Sequence, residues 1–93
     1  MPAWHAEVVA LSLRRYPGAD TTEQAAEAFR DGARYDGSGL ARIDLGRAAV
    51  GPLLVAGRAI TREEYRQIEG LLRGHGATVL EITRHGHMVV RGG

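Results

Sequence analysis

Residues 61–91, TREEYRQIEGLLRGHGATVLEITRHGHMVVR, decide the fold class. Thr61 with Glu64 three residues later is a capping box, because each side chain can answer an orphan N–H at the start of a helix. Tyr65, Ile68, Leu71 and Leu72 then recur at the spacing of one buried helical stripe, with Arg62, Glu63, Arg66, Glu69 and Arg73 mostly outside. Gly74 is the expected C-terminal cap. Beyond it Leu80 and Ile82 alternate with Glu81 and Thr83 as a half-buried strand does. His85-Gly86 reads as a turn, and residues 87–91 return antiparallel.

Working back from this helix and hairpin, a strand is expected from Leu40, with Ile43 and Leu45 on one face and Arg42 and Asp44 on the other. Gly46-Arg47 turns it into a second strand running from Ala48 to Ile60. That strand is interrupted near Gly51-Pro52, since proline cannot donate to a ladder and marks an edge or a bulge. Asp36-Gly37-Ser38-Gly39 reads as a flexible turn whose two glycines permit positive φ. Asp20 and Glu23 signal the start of another helix through Ala25, Ala26, Ala28 and Phe29, ending near Gly32. Residues 4–16 are ambiguous. Val9, Leu11 and Leu13 alternate as in a strand, while alanine, leucine, glutamate and arginine favour a helix, which is the reading adopted. The expected fold class is therefore α+β, a small antiparallel sheet of about four strands with two or three helices packed on one face. Read instead as a strand, residues 4–16 give the order βαββαβ, which resembles the ferredoxin-like fold.

The chain has 93 residues, enough for one hydrophobic core, so residues 1–93 are expected to form a single domain. Its composition, 44% hydrophobic and 25% charged with a net charge of +1, excludes a disordered tail or a fibre. The absence of cysteine excludes a disulfide framework, thiolate metal ligands and a cysteine nucleophile. The apolar runs are too short to span a bilayer and the N-terminus lacks a signal-peptide pattern, so a cytoplasmic protein with no membrane partner is expected. All twelve basic side chains are arginine, and lysine and asparagine are absent. A GC-rich genome explains that bias, although arginine is also the better phosphate ligand. Charge is uneven: five arginines face seven acids in residues 1–46, and seven face four in residues 47–93, which also hold three of the four histidines.

No constellation demands catalysis. The two serines, Ser12 and Ser38, lie outside any Gly-x-Ser-x-Gly elbow, and an enzyme is the minority reading. His75, His85 and His87 are the candidate metal ligands, since three imidazoles suit zinc or nickel. No carboxylate or thiolate completes their spacing, so His75 is read as meeting the helix C-terminal dipole, the other two as solvated, and neither metal nor cofactor is expected. The helix, glycine, strand, Gly86-His87 and strand of residues 61–91 resemble the front of HicA-type mRNA interferase toxins. That resemblance implies RNA cleavage with His87 as acid/base. The family's Gly-Ser-His-His segment is incomplete here, with no serine and with Met88 at the second histidine, and the third strand and final helix have no counterpart. Gly92-Gly93 resembles the terminus of ubiquitin-like modifiers and of the sulfur carriers of molybdopterin and thiamine synthesis, which implies adenylation of a threaded tail.

The preferred expectation is a small non-catalytic module that docks on a larger protein as an adaptor or inhibitor, with a homodimer left open. One sheet edge suffices for an interface of about 800 Å² per partner. The edge near residues 52–60 and the final strand are the expected contact elements, and Trp4, Tyr16 and Tyr35 the candidate anchors, with Trp4 better read as core. The rival is a nucleic-acid partner, RNA bound or cleaved by the basic C-terminal half through Arg58, Arg62, Arg66, Arg84 and Arg91.

Overall fold

The structure, a computed structural model, describes residues 2–4, 6, 8–84 and 87–92, the side chains of residues 83, 84, 87 and 88 excepted. In chain order the elements are β1 (Val8–Arg15), α1 (Thr22–Arg30), β2 (Gly37–Asp44), β3 (Arg47–Val50), β4 (Leu54–Val55), α2 (Arg62–Gly74), β5 (Val79–Arg84) and β6 (His87–Gly92). The fold is α+β as expected, but the sheet is mixed and six-stranded rather than antiparallel and four-stranded. Its order is β1-β2-β3-β5-β6, with β4 continuing the line of β3 along β2. Every neighbouring pair is antiparallel except β3 and β5, which are joined through α2 and therefore run parallel.

Residues 8–15 form a strand, correcting the helical reading. Their helix-favouring composition is outweighed by an unbroken pairing of eight residues with β2, in which Val9 meets Ile43 and Leu11 meets Ala41. The ferredoxin-like order is not reached either, because α1 connects two antiparallel neighbours and only α2 makes a parallel crossover. Gly37-Ser38-Gly39 belongs to β2 and is no flexible turn. A Cβ on Gly37 would stand 3.0 Å from Arg15 Cβ and 3.1 Å from Val55 Cγ1, and one on Gly39 would collide with Leu53. Both glycines are there because the side chains of Arg15, Val55 and Leu53 press on the strand.

The core is one-sided. Ala41 and Ile43 of β2, Ala48 and Val50 of β3, and Leu80 and Ile82 of β5 face Tyr65 and Leu72 of α2. Ala41 and Ala48 keep the sheet surface low and let the helix approach. Leu71, expected in the buried stripe, lies at its exposed margin. The capping box is present: Thr61 Oγ1 accepts from Glu64 N at 3.2 Å, and Glu64 Oε2 accepts from Thr61 N at 2.7 Å. The cap at the other end is His75 rather than Gly74, with Gly76 in the left-handed region at φ 97°. α1 starts one residue later than expected, on Thr21, and buries no residue. The cover expected from two or three helices thus comes from α2 alone.

Leu45 and Gly46 join β2 to β3 with positive φ at both residues, 50° and 82°. Such a turn matches the twist of the strands but suits glycine, asparagine or aspartate far better than leucine. Leu45 is consequently not on the Ile43 face, as the alternation suggested. It stands in solvent, 75% exposed.

A charge clamp ties distant segments to the end of β1. Arg15 donates from Nε to Asp36 Oδ1 at 2.7 Å, and from Nη2 to Asp36 Oδ2 at 3.1 Å and the Arg58 carbonyl at 3.0 Å. Its buried Nη1 has no hydrogen bond and lies 3.5 Å from Glu64 Oε1, which also pairs with Arg58 Nη1 at 2.7 Å. The hydrogen bond from Arg15 holds the Asp36 carboxyl below its usual range. Partial burial works to raise the Glu64 carboxyl, but the Thr61 N–H and the Arg58 and Arg15 guanidinia outweigh it and hold it low as well. Carboxyls with lowered folded-state pKa values stabilise the fold above their unfolded values, and that stability is lost as pH falls through the folded ones. The urea midpoint should therefore drop as pH is lowered from about 5 to about 3. Asp36→Asn should flatten the drop, and a midpoint constant over this window would remove the clamp from the stability account.

Candidate functional site

Side chains alternate across a strand, so the residues between the core positions form the second face of the sheet. The registers assemble them into rows. One row runs Val8, Asp44, Arg47, Val79, Gly92, and the next Ala10, Arg42, Ala49, Glu81, Val90. A shorter row pairs Ser12 with Leu40, whose carbonyl accepts from Gly51 N at 2.9 Å. No described element covers this face. The molecule measures 50 × 34 × 18 Å, the thickness of a sheet with one helical layer.

Leu40 stands on β2, one strand in from the β1 edge, 70% exposed, between small neighbours. Ala10, Ser12, Arg42, Ala49 and Gly51 line with it a shallow groove of about 380 Å³ that opens broadly to solvent. Val8 and Val90 are also exposed on this face, Val90 beyond Glu81 and Val8 beside Asp44. Arg47 pairs with Glu81 across the face. Arg42 has no ion pair among the described residues. The strand positions of this face carry no aromatic ring on which a base could stack.

At the end of β1, Arg14 projects on the open-face side with its Cζ 4.3 Å from the centre of the Tyr35 ring, within cation–π range. Tyr35 meets Tyr16 edge to face at 6.4 Å between ring centroids and 79° between planes. Tyr16 is buried and Tyr35 half-exposed, so of these two only Tyr35 offers ring surface. Trp4 is 99% exposed, correcting its assignment to the core: the described residues before β1 join no strand and leave the indole in water.

The arginines singled out from the sequence are dispersed. Arg58 is held by Glu64, and Arg91 Nε lies 3.5 Å from Glu69 Oε1. Arg62 and Arg66 are exposed on α2, on the helical side of the sheet, away from the Leu40 groove. The side chains of Arg84 and His87, and residues His85, Gly86 and Gly93, lie outside the described residues. His75 caps α2 with Nδ1 2.9 Å from the Leu71 carbonyl, the helix-end role read from the sequence. No metal-binding group of three or more side chains occurs among the described residues. Gly92 is paired with Val79. No helix among the described residues is long and apolar enough to cross a membrane.

Sequence reasoning missed Leu40, Ala10 and Ala49 as members of one surface. The available signal was the alternation of residues 40–44, which put Arg42 and Asp44 opposite the core without showing that Leu40 stood with them. Trp4, the only tryptophan, makes the exposed N-terminal segment measurable. Its emission maximum should not shift on unfolding in urea, and an external quencher should reach it equally in both states. A red shift on unfolding would place the indole in a packed site instead. No family model, curated protein or solved structure matches the chain.

Proposed function

We propose that this domain is a non-catalytic docking module that acts on a larger protein, as an adaptor or inhibitor, through the open face of its sheet. The observation that carries the reading is Leu40, a large apolar side chain held on a strand paired on both sides and left 70% exposed amid alanine, serine and glycine. A leucine there does nothing for the core, whereas an apolar centre with a polar rim is the anatomy of a protein interface. Arg42 and Arg14 flank it, so the favoured partner presents an apolar side chain to the groove and carboxylates beside it. Leu45 supports the same reading. A positive-φ turn position that glycine or asparagine would fill with less strain holds an exposed leucine, which favours contact over stability.

The dispersion of the arginines favours protein over RNA as the partner. Arg58 and Arg91 are engaged by carboxylates, and Arg62 and Arg66 share no surface with Arg42. The sulfur-carrier alternative requires a threaded tail, and Gly92 is instead part of β6.

The test is affinity capture from host lysate with wild type and Leu40→Asp as bait, with and without nuclease, at low and high salt. The protein recovered is then purified and titrated directly. Wild type should bind it in high salt and after nuclease, and Leu40→Asp should weaken binding at least about tenfold, the effect of roughly 1.4 kcal/mol, with no loss of thermal stability. Leu45→Asn should raise the stability of the free domain by about 1 kcal/mol, by relieving the left-handed leucine, while weakening binding. RNA recovered in place of protein and lost on nuclease or salt would overturn the reading, as would full binding by Leu40→Asp.

A further inference from the structure

β1 is an edge strand of an unusual kind. It pairs with β2 on one side, and no described strand lies on the other. Val8-Val9-Ala10-Leu11-Ser12-Leu13 gives six consecutive uncharged residues with neither proline nor glycine, and the pairing with β2 runs through them without a bulge. Edges normally carry a charge, a proline or a bulge that stops another strand from adding. None of these devices is present between Val8 and Leu13.

The main chain shows which groups are unsatisfied at that edge. The Arg15 carbonyl accepts from Asp36 N at 2.9 Å, on the β2 side. In an antiparallel ladder the N–H and C=O of one residue point the same way and alternate along the strand. Leu13, Leu11 and Val9 therefore direct theirs to β2, and Val8, Ala10, Ser12 and Arg14 direct theirs outward.

We infer that a second copy of this chain closes the edge, its β1 running antiparallel to the first about a two-fold axis normal to the sheet. Such an axis makes one residue face its own counterpart. With Leu11 on the axis, Ala10 lies opposite Ser12 of the partner copy and Val8 opposite its Arg14, so the outward main-chain groups of all four residues are matched. Charge selects this register. It places Arg14 beside the partner's Val8, whose own neighbour in β2 is Asp44. A register centred on Ser12 would place Arg14 beside the partner's Ala10 and next to its Arg42, bringing like charges together. On the helical side, Leu11 and Leu13 lie at the edge of the core and are only partly covered, and Val9 is exposed. Pairing sets Leu11 against Leu11 and Val9 against Leu13, which continues the apolar layer across the axis. The two open faces become one, so dimerisation enlarges the proposed docking surface without depending on it.

The purified full chain should sediment at twice its 10.0 kDa mass in the micromolar to millimolar range. Ala10→Pro removes one outward N–H at an edge position that tolerates proline, and should return the mass to that of one chain with an unchanged circular dichroism spectrum. Because the chain has no cysteine, a single substitution reads the geometry against no background. Leu11→Cys should oxidise to a cross-linked dimer, since residues facing each other in a non-hydrogen-bonded pair have Cα atoms about 4.5 Å apart. Val90→Cys, away from the β1 edge, should not. A wild-type chain that stays monomeric throughout would overturn the inference, and so would a dimer that cross-links through Val90 and not Leu11. Neither result bears on Leu40, so the dimer and the docking face stand or fall separately.

Discussion

The guanidinium of Arg15 holds together parts of the chain that no single ladder or helix connects. Asp36 lies just before β2, Arg58 in the loop that follows β4, and Glu64 in the first turn of α2, and all three meet this side chain. The cluster is only partly shielded from solvent, with side-chain exposures of 14% for Arg15, 25% for Asp36 and 17% for Glu64. Solvent therefore screens part of its attraction, and the cluster is worth less than a fully buried one would be. Arginine rather than lysine fits, because its planar fork grips Asp36 with two parallel bonds and still reaches a carbonyl. The close approach of Gly37 to the Arg15 stem is part of the same joint.

Strand alternation turns that joint into an orientation for the whole face. Arg15 reaches the helical side of the sheet, so Arg14 must project on the other, where it stacks on Tyr35. Two adjacent arginines that look alike in the sequence thus take different parts, one structural and one exposed. The same alternation places Leu11 and Leu13 under the helical layer while Ala10 and Ser12 line the open groove.

A one-sided core follows from the supply of large apolar residues. Tyr65 and Leu72 of α2 complete the packing against three central strands, and α1 contributes nothing buried. Few large side chains remain for the second face, which is built of alanine, serine, valine and arginine around Leu40. For so small a domain, an uncovered rigid face and an unprotected edge are the surfaces through which contact with other molecules is most economically made.

The elements whose signals are local can be read from the order of the amino acids. The capping box at Thr61 and Glu64, the apolar stripe through Tyr65 and Leu72, the break at Gly51-Pro52 and the alternation of residues 80–82 each depend on neighbours a few positions away, and each is found in the fold. Features that rest on pairing between distant segments cannot be read that way. Residues 8–15 are a strand because β2 offers an eight-residue partner that composition cannot announce. Gly37 and Gly39 are points of close approach rather than a hinge because Arg15, Val55 and Leu53 press on them. Leu45 leaves its strand face because the turn must close there. The candidate site belongs to this second class: Ala10, Leu40 and Ala49 become one surface only when register sets strands from both halves of the chain side by side, and register is a property of the assembled sheet.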